Sequence, residues 1–127
     1  MSEKIVELEK EKEVFKPIKL TYMDSEVYEL DFSRESAVFA QMRGFDPSKI
    51  EQQPSIIIPD LFYYAMRKNH KNLARNQVDA IRKKLFQTGL PANVLERLLQ
   101  LYEQASLIDL VASDEDAAKN TNTVVEM

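Results

Sequence analysis

A chain of 127 residues, 44% hydrophobic and 30% charged, forms one globular domain with a real core and is too short for two. Two glycines argue against a turn-rich β-sandwich or barrel, and the absence of cysteine excludes disulfides and thiolate metal sites. A net charge of −4 weighs against non-specific nucleic-acid binding by the molecule as a whole.

Residues 3–13 are mostly Glu and Lys, with Ile5 and Leu8 the main apolar pair. So few apolar groups do not offset ordering entropy, and a solvated arm or frayed helix is expected over residues 1–15. The arm lacks the apolar centre of a signal peptide, and no apolar run approaches the about 18 residues of a membrane span. A cytoplasmic protein without a membrane segment is expected.

From residue 16 the period changes to two. Ile18, Leu20 and Tyr22 alternate with Lys19 and Thr21, and Tyr28, Leu30 and Phe32 alternate with Glu29 and Asp31. This pattern predicts a β-hairpin with one buried face. Placing both apolar sets on one face suggests Tyr22 opposite Tyr28, Leu20 opposite Leu30 and Ile18 opposite Phe32, with Asp24, Ser25 and Glu26 in the loop. A lone hairpin is marginal in water, so it must lie on helices or pair with another chain.

Ser33 stands where an N-cap is wanted, for a helix over residues 34–43 that buries Ala37, Val38 and Met42 and stops at Gly44. Asp46 and Pro47 predict a short turn through Ile50. After a linker of Gln52, Gln53 and Pro54, Pro59 and Asp60 suit the first turn of a second helix. Six consecutive apolar residues follow: Leu61, Phe62, Tyr63, Tyr64, Ala65 and Met66. At about 100° per residue they cover every face, so this helix is a central post or keeps one side for a partner. It is expected to end near His70. Helices over residues 75–87 and 92–110 follow, the first carrying Val78, Ile81 and Leu85, the second a broad face from Val94 to Ile108. Residues 113–127 read as a flexible acidic tail. The expected fold is mainly α with an N-terminal hairpin (α+β): about four to five helices in one domain over residues 16–112.

Catalytic signatures are missing. His70, the lone histidine, has no sequence companion for base catalysis or metal binding, and a helix-end role is favoured. Asp114, Glu115 and Asp116 lack the ligand spacing and glycine of a cation loop. No phosphate loop, nucleophile triad or paired-carboxylate spacing is present. The reading is a protein that is not an enzyme and has no cofactor or metal. Residues 67–84 hold seven Lys/Arg and one acid, which keeps a nucleic-acid-binding or regulatory adaptor as the alternative. Adjacent Tyr63 and Tyr64 cannot both point inward, so one hydroxyl is expected at a surface, and the cluster reads either as core alone or as core with a partner groove.

Tyr28-Glu29-Leu30-Asp31-Phe32-Ser33-Arg34, then Gly44-Phe45-Asp46, then Leu61-Phe62-Tyr63-Tyr64-Ala65-Met66-Arg67-Lys68-Asn69-His70 follow one another in a telling order. With Leu95, Leu98, Leu101, Tyr102 and Ala105 behind them, this order resembles the small tail assembly chaperones of long-tailed, siphovirus-like bacteriophages. The likeness spans residues 18–110. It implies a non-catalytic chaperone that coats the tape measure protein, assists tail tube assembly by recruiting tube protein, works in the cytoplasm of the infected host and is absent from the mature virion. Such families often make a longer product by programmed frameshift. Ala118, Lys119 and Asn120 are compatible with a slippery run of adenines, a hypothesis the gene sequence tests.

On this reading, helix-in-groove packing covers the apolar stripes of the tape measure protein. The groove is expected between Tyr63, Tyr64 and Arg67 on one helix and Leu101 and Tyr102 on the last. Homo-oligomerisation stays open, through the hairpin edge or the surplus apolar faces.

Overall fold

A computed structural model describes residues 15–107. The charged arm over residues 1–15, save Phe15, the acidic tail and its Asp114, Glu115 and Asp116, and the Ala118–Asn120 stretch lie outside the described residues. Two antiparallel strands, β1 (Ile18–Tyr22) and β2 (Glu26–Leu30), precede four helices. These are α1 (Arg34–Met42), α2 (Pro54–Arg67), α3 (Arg75–Leu85) and α4 (Ala92–Leu107), with a 3-10 turn at Pro47–Lys49 between α1 and α2. The expected mainly helical α+β architecture is the one observed.

The hairpin has the expected faces in a different register. Ile18 pairs with Leu30, Leu20 with Tyr28 and Tyr22 with Glu26, a slip of two from the pairing suggested by the sequence. A period-two pattern constrains only parity, because a slip of two leaves every side chain on its face. The turn makes the choice. Met23 and Asp24 take φ of 50° and 59°, and the Ser25 N–H donates to the Tyr22 carbonyl at 3.2 Å, the pattern of a type I′ turn. The loop is thus Met23, Asp24 and Ser25. Phe32, freed from the strand, turns into the core.

Ser33 caps α1 as expected: the Ser36 N–H donates to Ser33 Oγ at 3.1 Å and the Ser33 N–H donates to Ser36 Oγ at 2.9 Å. The buried face of α1 is rotated from the expected one. It holds Ser36, Ala37 and Ala40, while Val38 is 37% and Met42 82% exposed. Small residues let α1 lie close to its neighbours, which Val38 and Met42 would have prevented. Gly44 stops the helix at φ 85°.

Helix α2 starts at Pro54, where the missing N–H costs nothing, so Pro59 is interior rather than in the first turn. The bond Pro59 cannot donate leaves the Ser55 carbonyl without its helical partner, and Ser55 is exposed to water that can replace it. As the apolar run implied, α2 is the central post. It packs against β2, α1, the 3-10 turn, α3 and α4. Ile57, Leu61, Phe62, Tyr64, Ala65 and Met66 are buried on it.

Polar contacts dock the hairpin onto this post. The Asp31 N–H donates at 3.0 Å to the carbonyl of Ala65, one of those left open by the end of α2. His70 Nε2 accepts the Glu29 N–H at 3.1 Å, so the sole histidine is a hairpin anchor. Lys68 pairs with buried Asp31, and Lys84 at the end of α3 pairs with Glu26. The hydrogen bond from Lys84 holds the Glu26 carboxyl below its ordinary value and raises the Lys84 ammonium.

Two outcomes are expected. His70→Phe leaves the Glu29 N–H without its acceptor, costing about 1–2 kcal/mol in urea denaturation and speeding exchange of the Glu29 amide; unchanged exchange would remove the anchor role. The Glu26–Lys84 contribution is complete above the ordinary carboxylate range and is lost as pH falls through the lowered Glu26 value. The urea-midpoint gap between wild type and Glu26→Gln should therefore narrow on acidification from neutral pH, and a constant gap would contradict the pairing.

Candidate functional site

The five residues expected to line a groove do not line one. Tyr64 is 7%, Leu101 1% and Tyr102 7% exposed, all within the core. The cause is Phe45. Gly44 turns the chain so that the Phe45 ring packs against Tyr64 with centroids at 5.4 Å and against Tyr102 at 5.2 Å. Phe32 meets Tyr102 edge-on at 5.4 Å, and Gln41 Nε2 donates to the Tyr102 hydroxyl at 3.1 Å. The space between α2 and α4 is filled by rings. Burial pushes the Tyr64 phenol above its ordinary pKa, with the Asp60 charge adding to the effect.

Tyr63 and Arg67 stay at the surface but on different business. Tyr63 is half-buried beneath the Arg75 guanidinium, 5.2 Å from its ring centroid. Arg67 stacks on Phe39 at 3.8 Å, and Arg43 lies over the same ring at 4.4 Å. Arg67 also borders a cleft of about 220 Å³ with Ser33, Glu35, Phe39, Lys68 and Lys71. Of two adjacent tyrosines, one faces inward and the other reaches the surface, as their spacing required.

The basic run is divided by folding. Of its seven cations, five have a carboxylate within 4.0 Å: Lys68 with Asp31, Lys71 with Glu35, Arg75 with Asp60 and Asp79, Arg82 with Asp79 and Lys84 with Glu26. Carboxylates from other segments, Asp31, Glu35, Asp60 and Glu26, meet much of the +6 local balance.

A different concavity has five apolar residues in its lining. Between the start of α2 and the end of α3 lies a cleft of about 380 Å³, lined by Pro54, Ser55, Ile58, Pro59, Arg82, Phe86, Gly89 and Leu90. Ile56, next to Ser55 in the chain, is 56% exposed. The sequence places Pro54 in a linker and Phe86 in a helix, whereas Pro54 opens α2 and Phe86 lies past the end of α3, so the sequence hid this site. Helix α3 ends at Leu85, and Phe86 leaves helical geometry at φ −131° and ψ 71°, with its ring edge-on to Phe62 at 6.4 Å. The available signal was the Gly89-Leu90-Pro91 loop, which places an apolar side chain where turns are usually polar.

Among the described residues, no group of three His, Cys, Asp or Glu side chains is placed to hold a metal ion, and no helix is long and apolar enough to cross a membrane. Fold and cleft together define a small hairpin-and-helix domain with an apolar surface recess. The chain belongs to the DUF5055 family, a domain of unknown function whose family model matches residues 3–127. Neither a curated protein nor a solved structure matches it.

With Tyr64 and Leu101 in the core, Tyr64→Asp and Leu101→Asp are expected to abolish the cooperative thermal transition seen by circular dichroism. Leu101→Ala should cost about 2–5 kcal/mol. A folded Leu101→Asp protein of native stability would return that residue to the surface.

Proposed function

We propose that the chain is a non-catalytic tail assembly chaperone of a long-tailed bacteriophage, binding the tape measure protein and assisting tail tube assembly. It acts in the infected cell's cytoplasm and leaves before the virion is complete. The order of motifs along residues 18–110 suggests this reading. The observation that carries it is the cleft whose apolar lining is Pro54, Ile58, Pro59, Phe86 and Leu90. A tape measure protein is a long helix whose apolar stripes stay unpaired until the tube encloses them. A small domain with an apolar recess can cover such a stripe reversibly. The docking face moves accordingly from the filled α2–α4 space to the α2–α3 cleft.

The alternative, a nucleic-acid-binding or regulatory adaptor using residues 67–84, draws support from the Arg43–Phe39–Arg67 stack, whose guanidiniums are outside every carboxylate pair among the described residues. The pairing of Lys68, Lys71, Arg75 and Lys84 with carboxylates weighs against it.

Co-expression with the tape measure protein of the same phage tests the reading. The tape measure protein should co-purify with the wild-type chain, fail to do so with folded Ile58→Glu or Leu90→Glu chains, and occur in purified particles that lack the chaperone by mass spectrometry. Loss of the reading would follow if the wild-type chain did not capture it, or if the chain were a stoichiometric virion component. Salt-sensitive oligonucleotide binding in place of capture would favour the adaptor.

A further inference from the structure

We propose that the α2–α3 cleft takes a partner segment in which a carboxylate stands beside apolar side chains, and that Arg82 is the residue that reads the carboxylate. This rests on the docking reading above and adds the chemistry of what docks. Five of the lining residues, Pro54, Ile58, Pro59, Phe86 and Leu90, are apolar, and Arg82 supplies the only charge; no acid lines the cleft. The recess is open and about 380 Å³ in volume, the form that suits a segment laid across a surface.

The state of Arg82 identifies the polar half of the occupant. Its side chain is 21% exposed, and its Nε is buried without a hydrogen-bond partner. Its nearest carboxylate, Asp79, lies 3.8 Å from Nη2 and is already engaged by Arg75 Nε at 3.2 Å through both oxygens. The guanidinium is therefore poorly neutralised while standing at an apolar wall. A purely apolar segment seated there would remove more of its water and return no counter-charge, which is costly. A basic segment would meet like charge at Arg82. A carboxylate offers the planar, bidentate match that guanidinium favours, and water exclusion by the neighbouring rings strengthens it. Charge complementarity thus selects an acidic, apolar segment.

Two synthetic amphipathic helical peptides test the proposal. They share one apolar stripe and differ only in carrying Glu or Lys at its flank, and binding to the full chain is read by fluorescence anisotropy. The Glu peptide should bind at least about tenfold tighter than the Lys peptide, with the gap closing as salt rises. Arg82→Gln should remove the preference and Arg82→Glu reverse it, with circular dichroism confirming that each variant is folded. Ile58→Glu should weaken both peptides. Equal wild-type affinities, or a preference unaltered in Arg82→Gln, would overturn the assignment of Arg82. Two other occupants are detected in the same experiment: a change of sedimentation mass in Arg82→Glu would mean a second copy fills the cleft. A gain in Glu-peptide affinity on removing residues 113–127 would mean the chain's own acidic segment does so. Either would overturn the partner claim. Tape measure capture that survives Arg82→Glu removes the role of Arg82 and leaves the chaperone reading intact, whereas a peptide preference without tape measure capture removes the chaperone reading alone.

Discussion

A helix that is apolar on every side must be surrounded, and the rest of this molecule is arranged to surround α2. Leu61, Phe62, Ala65 and Met66 are fully buried, and no single neighbour could cover all of them. The hairpin closes one side, α1 and the 3-10 turn another, and α3 and α4 the remainder. Burying each of the larger side chains contributes about 1.5–3 kcal/mol, so the energetic weight of the domain sits on this post. The hairpin, marginal by itself, is held because the C-terminal end of α2 presents open carbonyls, Lys68 and the His70 imidazole to it.

The same demand decides where a partner can dock. Near its C-terminal half α2 is sealed by Phe45, Phe32 and Tyr102, so no groove remains there. Toward its N-terminal end the cover thins. Ile58 and Pro59 are partly exposed, and α3 ends before it can close over them. The early stop of α3 at Leu85 matters here: one further turn of helix would carry Phe86 and Leu90 elsewhere and leave no recess. Function, on the proposed reading, lives where the enclosure of the post is incomplete.

Charge follows a related logic. Cations gather at helix C-termini for dipole reasons, and folding then brings carboxylates from the hairpin, α1 and α2 to most of them. A basic run that is conspicuous along the chain is thereby dispersed in space. Arg82 is left with a long, shared contact to Asp79 and an apolar wall beside it, which separates it from its paired neighbours.

The chain by itself determined the kind and order of the elements among the described residues, because these depend on local rules. Period two marked the strands, Ser33 and Gly44 bounded the first helix, and the unbroken apolar run marked the post. Tertiary structure alone decided the hairpin register, the inward face of α1, the start of α2 and the place of the site. A two-residue slip preserves the pattern, so turn geometry had to choose. Whether Val38 and Met42 or Ala37 and Ala40 face inward depends on how closely a neighbour approaches. That Phe45 fills one gap while α3 stops short of another depends on contacts between residues far apart in the chain, which periodicity and capping cannot encode.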